Sequence, residues 1–219
     1  ALINLYRERG LLFLQGYGLT ETSPNATFLR PDASSRKVGS AGTPCFFTDL
    51  RIVAADGGDA APGEKGEALL QGPNVTSGYW RQPEATTNAF VNGDWLRSGD
   101  AGLFDQDGYV FIVDRIKDMF ISGGENVYPA EVENILYQHP AIGECAVIGI
   151  ADERWGEVGR AIIVMREGCT ATDEELRAFM SGRLAAYKIP KSFVRTETLP
   201  RTATGKLLKR RLLETHGQA

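Results

Sequence analysis

The sequence predicts a mixed α/β and α+β fold in two parts, a strand-rich unit over residues 1–114 and a smaller α+β unit over residues 115–219. Between about residues 38 and 113, short β runs alternate with turn signals. After Asp114 the pattern changes to strands alternating with helical periods. Glycine supplies 25 of the 219 residues, about 11% against a typical ~7%, with no collagen period and no low-complexity run. Many turns and close backbone approaches are therefore expected, and loops should carry the chemistry. Lysine and arginine number 24 against 28 aspartates and glutamates, a formal charge of −4 without a basic block, which argues against a nucleic-acid partner.

The elements follow in order. Leu2, Leu5 and Tyr6 stand at helical spacing in residues 2–9, and Gly10 suits the position just past a helix end. Leu11-Leu12-Phe13-Leu14 reads as a buried strand leading into the loop Gly16-Tyr17-Gly18-Leu19-Thr20-Glu21-Thr22-Ser23-Pro24. Asp49–Val53 before Asp56-Gly57-Gly58, and Gly66–Gln71 before Gly72-Pro73, read as strands closed by turns. Gly102–Phe104 and Tyr109–Val113 flank Asp105-Gln106-Asp107-Gly108, whose Asp-Gly supplies a hairpin turn. The boundary falls near Arg115 to Asp118. Pro129 opens a helix with the stripe Val132, Ile135 and Leu136, closed by His139-Pro140. Strands are expected at Cys145–Ile150 and Gly159–Met165. Thr172-Asp173-Glu174-Glu175 is a capping box opening a helix through Leu176, Phe179, Met180 and Leu184. A last short helix is expected at Leu207–Leu213.

Four stretches carry candidate chemistry. In the 16–24 loop, glycines admit close backbone approach, Tyr17 offers a stacking face, hydroxyls can bond phosphate oxygens, and Glu21 can take a magnesium ion that a nucleotide brings. The same stretch also reads as a plain turn with scattered hydroxyls. In Trp95-Leu96-Arg97-Ser98-Gly99-Asp100 an acidic residue at a strand end suits ribose hydroxyls, although Asp after Gly also makes an ordinary turn. Asp114-Arg115-Ile116-Lys117-Asp118, followed by Gly123-Gly124, reads as a charged linker or as part of a site. Thr204-Gly205-Lys206 ahead of a basic helix can present one lysine to an anion, or simply be solvated.

Taken in this order, and with Gly78-Tyr79-Trp80 between them, the stretches closely resemble the adenylate-forming, AMP-binding enzyme superfamily, specifically its acyl-CoA synthetases, the fatty-acid and aryl acid CoA ligases. The resemblance runs from Gly16-Tyr17-Gly18-Leu19-Thr20-Glu21-Thr22, through Arg97-Ser98-Gly99-Asp100 and Asp114-Arg115-Ile116-Lys117-Asp118, to Pro200-Arg201-Thr202-Ala203-Thr204-Gly205-Lys206. It implies an enzyme that activates a carboxylic acid with ATP to an acyl-adenylate and passes the acyl group to coenzyme A. The cofactors implied are ATP/AMP and Mg2+, with coenzyme A as a substrate. By the same resemblance Gly16, Tyr17 and Gly18 border the nucleotide with Tyr17 on adenine, Thr20 bonds phosphate, Glu21 shares in magnesium binding, and Asp100 with Arg115 holds the ribose hydroxyls. Lys206 is the implied adenylation lysine and Lys117 the implied hinge. Gly124 is placed in a pantetheine tunnel, and Trp155 in Ala151-Asp152-Glu153-Arg154-Trp155-Gly156 is implied to support the thioester-forming arrangement.

The departures matter as much. The family's glycine- and serine-rich phosphate loop and most of its acyl pocket are not in these residues, and the sequence starts at Ala1 inside a helical pattern. The chain therefore reads as the C-terminal part of a longer enzyme, inactive in adenylation by itself, with the N-terminal domain as its partner. Residues 1–114 would end the large AMP-binding domain and residues 115–219 form the mobile one. Ile121-Ser122-Gly123-Gly124-Glu125-Asn126-Val127-Tyr128-Pro129 suggests a fatty acid substrate. An aryl acid ligase of coumarate or ferulate type is the alternative, as is a non-catalytic nucleotide-binding module, against which Glu21, Asp100, Arg115 and Lys206 all argue. A peptide-synthetase domain is disfavoured because no Arg-Gly-x-Arg-Ile-Glu follows Gly123. Cys45, Cys145 and Cys169 are widely spaced, with only His139 and His216 to join them, so a reducing cytoplasm is expected rather than disulfides or zinc. No apolar window nears ~18 residues; peripheral membrane contact stays open, without a basic amphipathic anchor to favour it.

Overall fold

The computed structural model describes residues 2–218 and divides into two compact units, Ala1–Ile116 and Lys117–Ala219. The first opens with helix α1 (Leu2–Glu8), ended by Gly10 at φ +70°. A small antiparallel sheet follows, β1 (Gly16–Tyr17), β2 (Thr27–Phe28) and β3 (Thr43–Pro44). The main sheet contains β4 (Asp49–Val53), β5 (Gly66–Gln71), β6 (Phe90–Val91), β7 (Trp95–Phe104) and β8 (Val110–Arg115), with helix α2 (Pro83–Ala89) between β5 and β6. Its order is β4-β5-β7-β6, with β8 also on β7 and every pairing antiparallel. Leu50 and Ile52 of β4 alternate inward to meet Ala68, Leu70, Leu96 and Val110, the period-2 pattern of a half-buried sheet. Tyr17 and Leu19 pack on that cluster, which ties the 16–24 loop to the sheet.

The second unit holds β9 (Phe120–Ser122), β10 (Glu125–Val127), α3 (Pro129–Leu136), β11 (Ile142–Asp152), β12 (Gly156–Met165), α4 (Asp173–Met180), β13 (Ser192–Arg195) and α5 (Lys209–His216). Strand order is β10-β9-β12-β11, with β13 parallel to β12. The apolar runs of β11 and β12 are continuous because both faces are covered. Cys145, Val147, Ala161 and Ile163 face a cluster with Val132 and Leu136 of α3 and Leu176 and Met180 of α4. Ala146, Ile148, Ile162 and Val158 face Leu199 and Leu212, the latter from α5. Each fully buried isoleucine contributes about 1.5–3 kcal/mol by leaving water. No helix among the described residues is long and apolar enough to cross a membrane.

Several local expectations are corrected. Leu11–Leu14 forms no strand: Leu11 and Leu12 are exposed, and ladder pairing starts only at Gly16 opposite Phe28. An apolar run signals a strand only where it joins a ladder, and among the described residues Leu11–Leu14 joins none. The helix expected through Leu184 stops at Met180. Its capping box forms as read, Glu175 N–H donating to Thr172 Oγ1 and Thr172 N–H to Glu175 Oε2, but Gly182 at φ +79° turns the chain away. The last helix starts at Lys209 rather than Leu207, because Leu207 is held in an extended bridge to Arg201. Asp100 lies neither at a strand end nor in a turn but inside β7, beside a bulge at Ala101/Gly102.

Candidate functional site

Within the first unit, ladder register does the positioning. Asp100 of β7 stands directly opposite Arg115 of β8, and Arg115 Nε meets Asp100 Oδ1 at 2.7 Å. From 83 positions away, the Tyr17 hydroxyl donates to Asp100 Oδ2 at 2.6 Å. The Asp100 backbone N–H donates to Ser98 Oγ at 3.0 Å, and Gly99 between them takes φ +69°. Asp100 is only 4% exposed. An ionised carboxylate at that depth is tolerated only when paired and hydrogen-bonded. Burial first, and the hydrogen bond to Asp100 second, push the Tyr17 phenol far above the ordinary tyrosine range, so it remains a donor at any working pH. Three of the expected site residues, Tyr17, Asp100 and Arg115, are thus one hydrogen-bonded cluster.

The loop carrying Thr20 and Glu21 is clamped beside it. Thr20–Thr22 forms one 3-10 turn. The buried Thr22 hydroxyl bonds the Leu19 N–H and the carbonyls of Leu19 and Pro24. Asn74 Nδ2 donates to the carbonyls of Thr22 and Asn25, and Thr76 N–H donates to the Glu21 carbonyl. Thr20 is exposed, and Glu21 Oε1 accepts a hydrogen bond from the Tyr79 hydroxyl at 2.9 Å. Gly18 serves the loop itself: a Cβ there would come within 1.6 Å of the Pro24 carbonyl oxygen. Gly16 is similarly close to the Thr27 carbonyl, at 3.1 Å. Among the described residues no group of three or more His, Cys, Asp or Glu side chains is arranged for a metal ion. A lone Glu21 nonetheless fits magnesium, which usually keeps waters and substrate phosphates and takes one or two carboxylates.

The remaining expected residues lie in the second unit. Lys117, its first residue, is exposed on a short 3-10 turn (Ile116–Asp118). Trp155, at the β11–β12 turn, covers Gly123 and not Gly124: a Cβ on Gly123 would sit 2.7 Å from the indole, whereas Gly124 has nothing within 4 Å. The Gly123 N–H donates to the Trp155 carbonyl at 2.8 Å, and Asp152 Oδ1 accepts the N–H groups of Arg154 and Trp155. Gly123 and Trp155 border a cavity of about 380 Å3 with Ser122, Glu125, Ala186, Tyr187 and Lys191. Lys206 is exposed at the tip of a separate tight turn, in which Thr202 N–H donates to the Lys206 carbonyl.

Reading residues in isolation passed over Tyr79, Tyr187 and Lys191. Tyr79 had a signal, as the centre of Gly78-Tyr79-Trp80, but nothing local pairs it with Glu21, 58 positions away. Tyr187 and Lys191 flank Lys188-Ile189-Pro190 with no distinguishing pattern, and they come to line one cavity with Trp155 only through the fold.

Two family models match the chain, that of the AMP-binding enzymes over residues 2–80 and that of the AMP-binding enzyme C-terminal domain over residues 131–206. A feruloyl-CoA synthase from an Amycolatopsis species is 52% identical over 208 residues, covering 95% of this chain and 42% of its own length. The long-chain-fatty-acid–CoA ligase FadD13 of Mycobacterium tuberculosis is 44% identical over 214 residues, 98% of this chain and 42% of that protein. Among solved structures, the o-succinylbenzoate CoA synthetase of Bacillus subtilis, in complex with its acyl-adenylate intermediate, superposes with a TM-score of 0.90. It is 42% identical and matches 96% of this chain and 43% of its own. The chain thus spans well under half the length of the relatives it matches.

Proposed function

The chain belongs to the AMP-binding, adenylate-forming enzyme superfamily, and from that premise we propose that the protein carrying it is an ATP-dependent acid–CoA ligase. The supporting observation is the likeness, along 96% of the chain, to a synthetase captured with its acyl-adenylate. In the proposed reaction a carboxylate oxygen attacks the α-phosphorus of ATP and pyrophosphate leaves. The thiol of coenzyme A then attacks the acyl carbonyl, releasing AMP and a proton.

The roles proposed for individual residues are supported by the geometry within each unit. Asp100, held by Tyr17 and Arg115, accepts ribose hydroxyls; a carboxylate offers about four acceptor directions and these two donors approach one on each oxygen. Tyr17 borders the adenine, Gly16 and Gly18 shape the loop, and Thr20 bonds phosphate. Glu21, steadied by Tyr79, shares in holding a magnesium ion, which when bound neutralises phosphate charge. Lys206 brings an ammonium to the charge that grows on the attacking carboxylate and α-phosphate, a contact whose removal commonly costs about 10²–10³ in rate. The cavity under Trp155 offers an apolar wall and one lysine to the long arm and phosphates of coenzyme A, with Gly124 beside it and Lys117 as the hinge.

The 52% identity to the feruloyl-CoA synthase against 44% to the long-chain ligase favours an aromatic acid over the fatty acid that Ile121–Pro129 suggests. The test is AMP release by the complete protein with ATP, coenzyme A and a panel of aromatic and fatty acids. Release with a subset of acids, dependent on both ATP and coenzyme A, is the expected result. No release with any acid would overturn the proposal.

A further inference from the structure

The turn that carries Lys206 is built to a higher standard of order than an exposed loop requires. Antiparallel bridging of Arg201 to Leu207 closes it, Lys206 N–H donates to Thr202 Oγ1 at 3.0 Å, and Gly205 adopts φ +84°, a conformation natural to glycine. One side chain spans the turn. Arg201 Nη1 donates to the Gly205 carbonyl at 2.9 Å while Nη2 donates to Glu144 Oε2 at 2.7 Å. Glu144 is available because β11 carries an irregularity just before it: Ile142 pairs with Met165 and Glu144 with Val164, so two steps on β11 oppose one on β12. Bulges of this kind re-aim a side chain. On the far side of the lysine, Lys209 Nζ pairs with Glu133 Oε1 at 2.8 Å, in a largely buried contact, and Glu133 also accepts the Val147 N–H. The Lys206 ammonium itself meets no partner among the described residues.

We propose that Arg201, steadied by Glu144, is a positioning residue that holds the Gly205–Lys206 backbone where Lys206 can act in acid activation; this rests on the role proposed above for Lys206. The physical need is clear. An ammonium on a flexible four-carbon stem is aimed only as well as its backbone is fixed, and misplacement by about 1 Å can cost a hundredfold in rate. Stability is not the reason for the pair. Both side chains are more than two-fifths exposed, and exposed ion pairs contribute little to folding. The planar fork of arginine, in contrast, can hold a carbonyl and a carboxylate in one fixed geometry. Lysine cannot duplicate that arrangement.

The test uses the complete enzyme with Arg201→Gln, Arg201→Lys and Glu144→Gln, beside Lys206→Ala. For Arg201→Gln, kcat for adenylate formation should fall roughly tenfold to a hundredfold, with KM for ATP and acid unchanged and thioester formation from supplied acyl-adenylate unchanged. Amide exchange at Gly205 and Lys206 should quicken, the melting temperature should stay at the parent value, Arg201→Lys should not rescue, and Glu144→Gln should lie between. Faster exchange with undiminished adenylation would overturn the proposal. So would a rise in KM at constant kcat, which would mean that Arg201 binds substrate, or equal loss in both half-reactions. If Lys206→Ala leaves adenylation intact, the role of Lys206 falls and the positioning role with it, while the exchange rates report separately whether Arg201 orders the turn.

Discussion

The Tyr17–Asp100–Arg115 cluster invites a double-mutant cycle of Tyr17→Phe and Asp100→Asn. Both substitutions preserve volume, so no cavity term enters. Tyr17→Phe removes a 2.6 Å bond to a buried carboxylate, and hydrogen bonds to charged groups are worth about 1.5–3 kcal/mol. Asp100→Asn keeps an acceptor for Tyr17 but converts that bond to a neutral one, worth about 0.5–1.5 kcal/mol. It also removes the partner of Arg115, whose side chain is 38% exposed, so the ion pair is discounted to about 1 kcal/mol for solvent screening. Each single variant should therefore lose about 2 kcal/mol. In the Asp100→Asn background, Tyr17→Phe should cost only about 1 kcal/mol, leaving a coupling of about 1 kcal/mol. Urea titration read by tryptophan fluorescence in a Trp155→Phe background reports on the first unit alone, because Trp80 and Trp95 both lie there. If Tyr17→Phe costs the same in both backgrounds, the phenol is not bonded to the carboxylate and the cluster does not exist as described.

Lys206→Ala in the complete protein should slow adenylate formation by about 10²–10³ yet spare thioester formation from supplied acyl-adenylate; single-turnover measurement of each half-reaction checks it, and equal loss in both refutes the assigned role. Gly18→Ala should destabilise by about 3 kcal/mol or more, since its methyl would drive into the Pro24 carbonyl, which a thermal melt reads directly. Cys145 is buried and its thiol is pushed up to about 12, by burial first and by Glu133 second, whereas Cys169 is exposed. Iodoacetamide at pH 8 should therefore label Cys169 within minutes and leave Cys145 unmodified until the chain unfolds, as peptide mapping will show. Because folding favours the protonated Cys145 thiol, its contribution is complete below pH 9 and is lost as the pH rises from 9 towards 12. The melting temperature should fall through that window, and less steeply in Cys145→Ala.

The strands and helices with strong period and closure were legible because local and tertiary preferences agree in them. The Thr172 capping box and the turn before Tyr109 need only near neighbours, and the apolar runs of β11 and β12 mark two strands whose cover on both faces appears only in the fold. Errors occurred where a residue's state depends on distant chain. Leu11–Leu14 has the composition of a strand but joins no ladder among the described residues, and Leu207 has the composition of a helix start but is held extended by Arg201. The site divides the same way. Residue types and order marked Tyr17, Glu21, Asp100, Arg115 and Lys206 as candidates, while the bonds beside them, Tyr79 to Glu21 and Arg201 to Glu144, join positions 57 or more apart and exist only after folding.

That division has a chemical consequence for Asp100. A surface carboxylate could also accept hydroxyl groups, but it would first have to shed ordered water and stop rotating. Asp100 is instead fixed by β-ladder register, oriented by donors on both oxygens and shielded to 4% exposure, so in the role proposed for it the carboxylate would need no reorganisation to accept a hydroxyl. The expense falls on folding, where an ionised group must be kept dry, and Tyr17 and Arg115 offset it. Glycine plays the matching role in the loop. The missing side chain of Gly18 leaves room for the Pro24 carbonyl, and the resulting close turn goes with Thr20 and Glu21 on one short helical turn a few residues from Tyr17. Gly18 is therefore one glycine whose place in the sequence is explained by the shape of this loop.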